Sequence, residues 1–152
     1  MPRYIIRPLA WVLLVGGIAS MAVAQEARFV SRYAAEDAVT GTETIVLLAI
    51  GRGLLEPDAP MTQRTLERAS LPAVERYAND EPLSLAEFAY LVATYFEIQP
   101  SLMGRLFPGP RYSIRDLRSE RIIFYEADAA TPVPGEVALR VIGRAVRWRG
   151  SR

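Results

Sequence analysis

The sequence predicts an all-α protein, a compact bundle of short helical hairpins set behind a cleaved N-terminal leader. Three observations predict it. Phe88, Leu91, Val92, Tyr95 and Phe96 recur at the three- and four-residue steps of one helix face, behind a capping box of Ser84 and Glu87. Val137, Val141, Ile142, Ala145 and Val146 draw a second stripe of the same period. Proline and glycine punctuate the chain at short intervals, as in LFPGPRY at 106–112, which keeps the helices short.

The leader comes first. Arg3 and Arg7 form a basic start, Leu9 to Ile18 is an uncharged apolar run, and Ala22 and Ala24 make an A-x-A site before Gln25. This order is that of a secretory signal, so residues 1–24 are expected to be removed and the protein exported to the periplasm or cell envelope. The competing reading is a retained anchor. The uncharged run from Pro8 to Gln25 is short for a membrane span, and two glycines interrupt it.

Cleavage leaves 128 of the 152 residues, enough for one domain with a real core. It removes two of the 18 basic residues and none of the 17 acidic ones, so the processed chain carries a net charge of −1. That balance does not suggest a nucleic-acid partner. There is no cysteine, so packing rather than disulfides must supply the stability, and lipid attachment through an N-terminal cysteine is excluded.

Residues 25–40 read as an N-terminal arm or helix carrying Phe29, Val30 and Tyr33. The helical domain is expected over 41–148. Thr42 is expected to cap its first helix, with Glu43 at the positive end, Ile45, Leu48 and Ala49 inward, and Gly51 and Gly53 at the close. After the loop EPDAP, Thr62 opens a helix with Leu66 and Ala69 inward, and Ser70 and Pro72 bend it before Val74 and Tyr77. NDEP at 79–82 is a turn, and the capped helix from Ser84 follows. Beyond the F-P-G-P turn comes a helix of about ten residues with Leu117 inward. It leads to an apolar patch of Ile122, Ile123 and Phe124. Pro132 and Pro134 permit a helix start, Glu136 suits its first turn, and the helix ends near Trp148, before a basic tail at 149–152.

Three segments share a layout of helix, loop and polar helix start: 49–69, the stretch around 82–92, and 111–145. LRSERII at 117–123 followed by PGEVALRVIGR, and PLSLAEFA at 82–89, resemble S-layer homology modules. In those modules a Thr-Arg-Ala-Glu-like motif opens the second helix of each repeat. The resemblance covers residues 41–147 and implies a bundle of helical repeats that binds an anionic cell-wall polysaccharide, with the arginine of the motif contributing. Here the matching stretches are Ser84-Leu85-Ala86-Glu87, Val133-Pro134-Gly135-Glu136 and Thr62-Gln63-Arg64-Thr65, none with arginine in that place. Glu87 and Glu136 are also what helix capping alone would select.

The residue inventory argues against an enzyme. Without histidine or cysteine the commonest general base, the thiol nucleophile and most transition-metal sites are missing, and all basic residues are arginine, so no lysine can form a Schiff base. No metal site and no cofactor is expected. The alternative is a small periplasmic hydrolase using loop carboxylates, Glu126 with Asp128 or Asp80 with Glu81; solvated loop charges explain the same residues.

The expected ligand-binding residues are Arg111, Arg115 and Arg118, which three- and four-residue spacing places on one helix face, with Tyr112 beside them. Guanidinium groups in a row suit carboxylate or phosphate groups. A wet face paired with Asp116 and Glu120 is the plainer reading. A second series, Arg140, Arg144 and Arg147, lines the last helix and, with Trp148 and Arg149, allows weak contact with an anionic membrane. The function expected is therefore an exported, non-catalytic envelope domain binding a wall polymer or an envelope protein; a structural subunit of an assembly, marked by an exposed apolar patch, is a further alternative.

Overall fold

The computed structural model describes residues 27–56, 65–66, 70–107 and 109–152. The expected signal peptide, most of the helix expected from Thr62, and Pro108 lie outside them. The described residues are mostly helical, and none forms a named strand. The elements are α1 (residues 27–34), α2 (Gly41–Arg52), α3 (Val74–Tyr77), α4 (Leu85–Tyr95), α5 (Leu102–Leu106), α6 (Pro110–Ser119) and α7 (Gly135–Gly150). No helix among the described residues is long and apolar enough to cross a membrane.

Two of the long helices, α2 and α4, start at a side-chain cap. Ser84 accepts from Glu87 N–H while the Glu87 carboxylate takes the Ser84 N–H and hydroxyl, so the capping box forms at α4. At α2 the cap is Thr40, not Thr42: its hydroxyl oxygen accepts from Glu43 N–H at 3.5 Å and its hydroxyl donates to Glu43 Oε2 at 3.0 Å. Thr42 lies inside the first turn and donates to the Asn79 carbonyl. Helices α2, α4 and α6 end with a residue in the left-handed region, Gly53, Glu97 and Arg121 in turn. There the N–H of Leu54, Ile98 and Ile122 closes back on the carbonyl five residues earlier.

The helices meet at a closed ring of three backbone hydrogen bonds. Val39 N–H donates to Val133 O at 2.9 Å, Val133 N–H to Leu83 O at 3.2 Å, and Leu83 N–H to Val39 O at 2.9 Å. Each residue is buried, and each stands immediately before the cap of α2, α4 or α7. The ring therefore relates three units by a pseudo-three-fold arrangement. Each helix start is clasped by the segment leading to the next one: Asn79 O receives Thr42 N–H, Ala129 O and Thr131 O receive Ala86 and Leu85 N–H, and Glu36 O receives Gly135 N–H. These carbonyls satisfy donors that a helix start leaves free.

Two glycines are required by this closeness. A Cβ on Gly41 would lie 1.8 Å from the Tyr77 carbonyl oxygen, and one on Gly135 would lie 1.7 Å from that of Tyr33. The core around the ring runs from Phe29, Tyr33 and Val39 through Ile45, Leu48, Phe88, Leu91, Tyr95 and Leu117 to Val141 and Ala145. Residues 27–39 thus contribute core side chains and a clasping backbone. Val146, expected inside, is 40% exposed, near the end of α7 and beside Gly51.

Candidate functional site

Among the described residues three polar grooves run between neighbouring units, each beside one long helix. The first, about 410 Å³, is lined by Arg32, Glu36, Thr40, Thr42, Glu43 and Asp80, with Val46. The second, about 90 Å³, lies around Arg76, Tyr77, Glu81 and Glu87. The third, about 160 Å³, is lined by Phe124, Tyr125, Val137, Arg140, Val141 and Arg144.

The grooves differ in charge for a reason visible in the helix starts. Glu43 and Glu87 both follow their caps by three residues and face the first and second grooves. At α7 the cap is Pro134, which makes no side-chain cap, and the corresponding position is Val137. The third groove therefore has two arginines and no carboxylate in its lining. Its charge is opposite in sense to the first groove, where Arg32 is neutralised by Glu43 at 2.8 Å.

The third groove is also the most aromatic at its mouth. Residues 122–129 run without helix, and from Ile123 onward inward and outward side chains alternate with the two-residue period of extended backbone. Ile122 and Ile123 enter the core, but Phe124 turns out and is 60% exposed, contrary to its expected place in an apolar patch. The Arg144 guanidinium sits 4.6 Å over the Phe124 ring and donates to Ile122 O at 3.4 Å. Arg118 of α6 donates to Tyr125 O at 3.0 Å. Arg140 is ion-paired with Glu136 one turn back. The arrangement is a flat ring framed by guanidinium groups, suited to a planar or pyranose ring bearing an anionic substituent.

The structure distributes the expected site residues. Arg111, Arg115 and Arg118 are all exposed on α6, as their spacing requires. Of these, Arg118 reaches the backbone of Tyr125, a residue that lines the third groove. The Arg111 and Arg115 side chains make no hydrogen bond or ion pair among the described residues. Their expected partners are otherwise engaged: Asp116 is buried and accepts from Ser101 N–H at 3.2 Å, while Glu120 accepts from Trp148 Nε1 at 2.8 Å and from Arg152 at 3.0 Å. Tyr112 stacks on Phe107, ring centroids 6.4 Å apart, at a cleft of about 190 Å³ that it shares with Tyr90, Thr94 and Asp116.

Glu126 and Asp128 both point outward, and Asp128 Oδ1 accepts from Ala130 N–H. Asp80 and Glu81 are exposed, in different grooves. Among the described residues no group of three or more acidic side chains could hold a metal ion. No family model matches the chain, and neither curated proteins nor solved structures give a match.

Proposed function

We propose that this chain is a non-catalytic binding module of the cell envelope that holds an anionic saccharide of the wall in the groove between Phe124 and α7. The observation carrying this reading is Arg144 stacked over the exposed Phe124 ring in a groove without carboxylates. An aromatic face supports a sugar ring, and Arg118, Arg140 and Arg144 complement a carboxylate or an acidic substituent on it. The resemblance of PLSLAEFA and LRSERII to S-layer homology modules supports a wall polymer over other anions, and the leader-like residues 1–24 support export. In this reading arginines from α6 and α7 take the part that the family gives to the arginine of its motif.

The test is calorimetric titration of the protein with acidic and neutral fragments of wall polysaccharide. Arg144→Gln is expected to weaken binding of the acidic fragment about tenfold or more, since a charge-assisted hydrogen bond contributes roughly 1.5–3 kcal/mol. Phe124→Ala, which removes the aromatic face, is expected to weaken binding of acidic and neutral fragments alike. Arg111→Gln with Arg115→Gln is expected to leave it unchanged. Equal affinity for neutral and acidic fragments, or loss in the Arg111/Arg115 variant alone, sinks the reading.

A further inference from the structure

A second surface is independent of the groove. Leu102, Met103, Leu106 and Phe107 are 74, 42, 62 and 58% exposed, a cluster of large apolar side chains along and just beyond the single turn and a half of α5. Monomeric proteins rarely leave such a group uncovered without a use for it. The turn is also firmly seated. Ser101 caps it through Gly104 N–H, the buried Asp116 accepts Ser101 N–H, and a Cβ on Gly104 would come within 2.9 Å of the Asp116 carboxylate. Phe107 is stacked on Tyr112 of α6. The apolar residues are therefore held outward by a fixed platform.

The charge around the cluster has one sign. Between Glu97 and Asp116 the sequence contains Arg105, Arg111 and Arg115 and no acidic residue, and Asp116 itself is buried. All three arginines are exposed; Arg105 bonds the neutral Gln99, and Arg111 and Arg115 have no acidic partner among the described residues. An exposed apolar turn with aromatic and aliphatic tips, flanked in the chain by exposed arginines, matches a surface that is apolar beneath and anionic above.

We propose that the α5 turn, Leu102 to Phe107, inserts into the interface of an anionic lipid bilayer, with Arg105, Arg111 and Arg115 on the head groups. A bilayer satisfies both halves of the surface at once: the acyl boundary takes the four apolar side chains and the head groups take the guanidiniums. A protein partner would need a concave apolar socket rimmed by acids to do the same. The module would then lie on the membrane by this end while the Phe124 groove stays in water.

The absence of cysteine gives a clean test. Leu102→Cys in the full chain, labelled with an environment-sensitive fluorophore, reports from α5 alone; Val146→Cys, labelled likewise, reports from α7. Vesicles of phosphatidylcholine with about one-third phosphatidylglycerol are expected to shift the emission of the first probe to the blue and leave the second unchanged. Replacing Arg105, Arg111 and Arg115 by Gln is expected to weaken vesicle binding about a hundredfold, at roughly fivefold for each cation near a charged surface. Leu106→Asn with Phe107→Ser should abolish the shift with an unaltered helical circular dichroism spectrum. The proposal is overturned if the Leu102 probe does not respond to anionic vesicles, responds equally to pure phosphatidylcholine, or shifts with protein concentration without lipid, which would mean self-association.

Discussion

Tyr33 and Thr44 share a hydrogen bond of 2.9 Å between hydroxyls that are both fully buried. The offset that carries Arg32-Tyr33-Ala34 onto Arg76-Tyr77-Ala78 carries Thr44 onto Phe88, which offers no hydroxyl. The buried Tyr77 hydroxyl accordingly has no hydrogen-bond partner among the described residues. The two tyrosines should respond oppositely to loss of oxygen. Tyr33→Phe strands the Thr44 hydroxyl and should cost about 1–2 kcal/mol, whereas Tyr77→Phe removes an unpaired buried polar atom and should be neutral or stabilising by up to about 1 kcal/mol. Urea denaturation of both variants checks this; equal losses would contradict it.

The glycines at the helix starts make a sharper prediction. Gly135→Ala puts a methyl group where the Tyr33 carbonyl stands, and backbone held by the three-residue ring cannot retreat without opening the Gly135–Glu36 hydrogen bond. We expect a loss on the order of 3 kcal/mol or more, or failure to fold, although alanine is the better helix former. Gly41→Ala should behave alike against the Tyr77 carbonyl. Gly150→Ala, with nothing within 4 Å, is the control and should stabilise slightly. Thermal unfolding of the three variants decides it.

The long helices were legible because their apolar stripes and caps are local signals. Ser84 and Glu87, the Phe88 face, and the turn around Pro110 all follow from neighbours within four residues. The ring of Val39, Leu83 and Val133 is not local, since it joins residues that only the finished fold brings together. A trace of it exists in sequence. Arg-Tyr-Ala at 32–34 and 76–78 is followed in both places by a valine or leucine, a threonine or serine cap, and glutamate three residues on. That match extends the repeat back to Arg32 and identifies Thr40 rather than Thr42 as a cap. Gly41 misleads local reading: glycine suggests a loop, yet it is the first residue of α2 and answers to a carbonyl in another unit. The groove at Phe124 was hidden for a similar reason. A run of three apolar residues looks like core, and only extended backbone after Arg121 turns the third one outward.

Acid dependence should centre on Glu36. Among the described residues its Oε2 is buried without a hydrogen-bond partner, and its carboxyl group meets that of Glu43 in the first groove, with Arg32 and Asp80 as the other charged groups there. Burial raises the Glu36 pKa first, the Glu43 charge and hydrogen bond raise it further, and Arg32 opposes them. Glu43 accepts from Arg32 and Thr40, while Glu36 Oε2 has no hydrogen-bond partner among the described residues. The folded state then binds the Glu36 proton more tightly than the unfolded chain. The stabilisation it brings is complete below the unfolded pKa of 4.5 and is lost as pH rises through the higher folded value. Glu36→Gln, neutral at every pH, should be more stable than wild type at neutral pH, and the advantage should shrink as pH falls through the raised folded value and be gone below 4.5. Glu43→Gln should instead cost stability at neutral pH, because it removes the ion pair with Arg32 and the acceptor for Thr40. Chemical denaturation of the three proteins across this range measures the slope, and parallel curves for wild type and Glu36→Gln would show that the pair does not hold a proton.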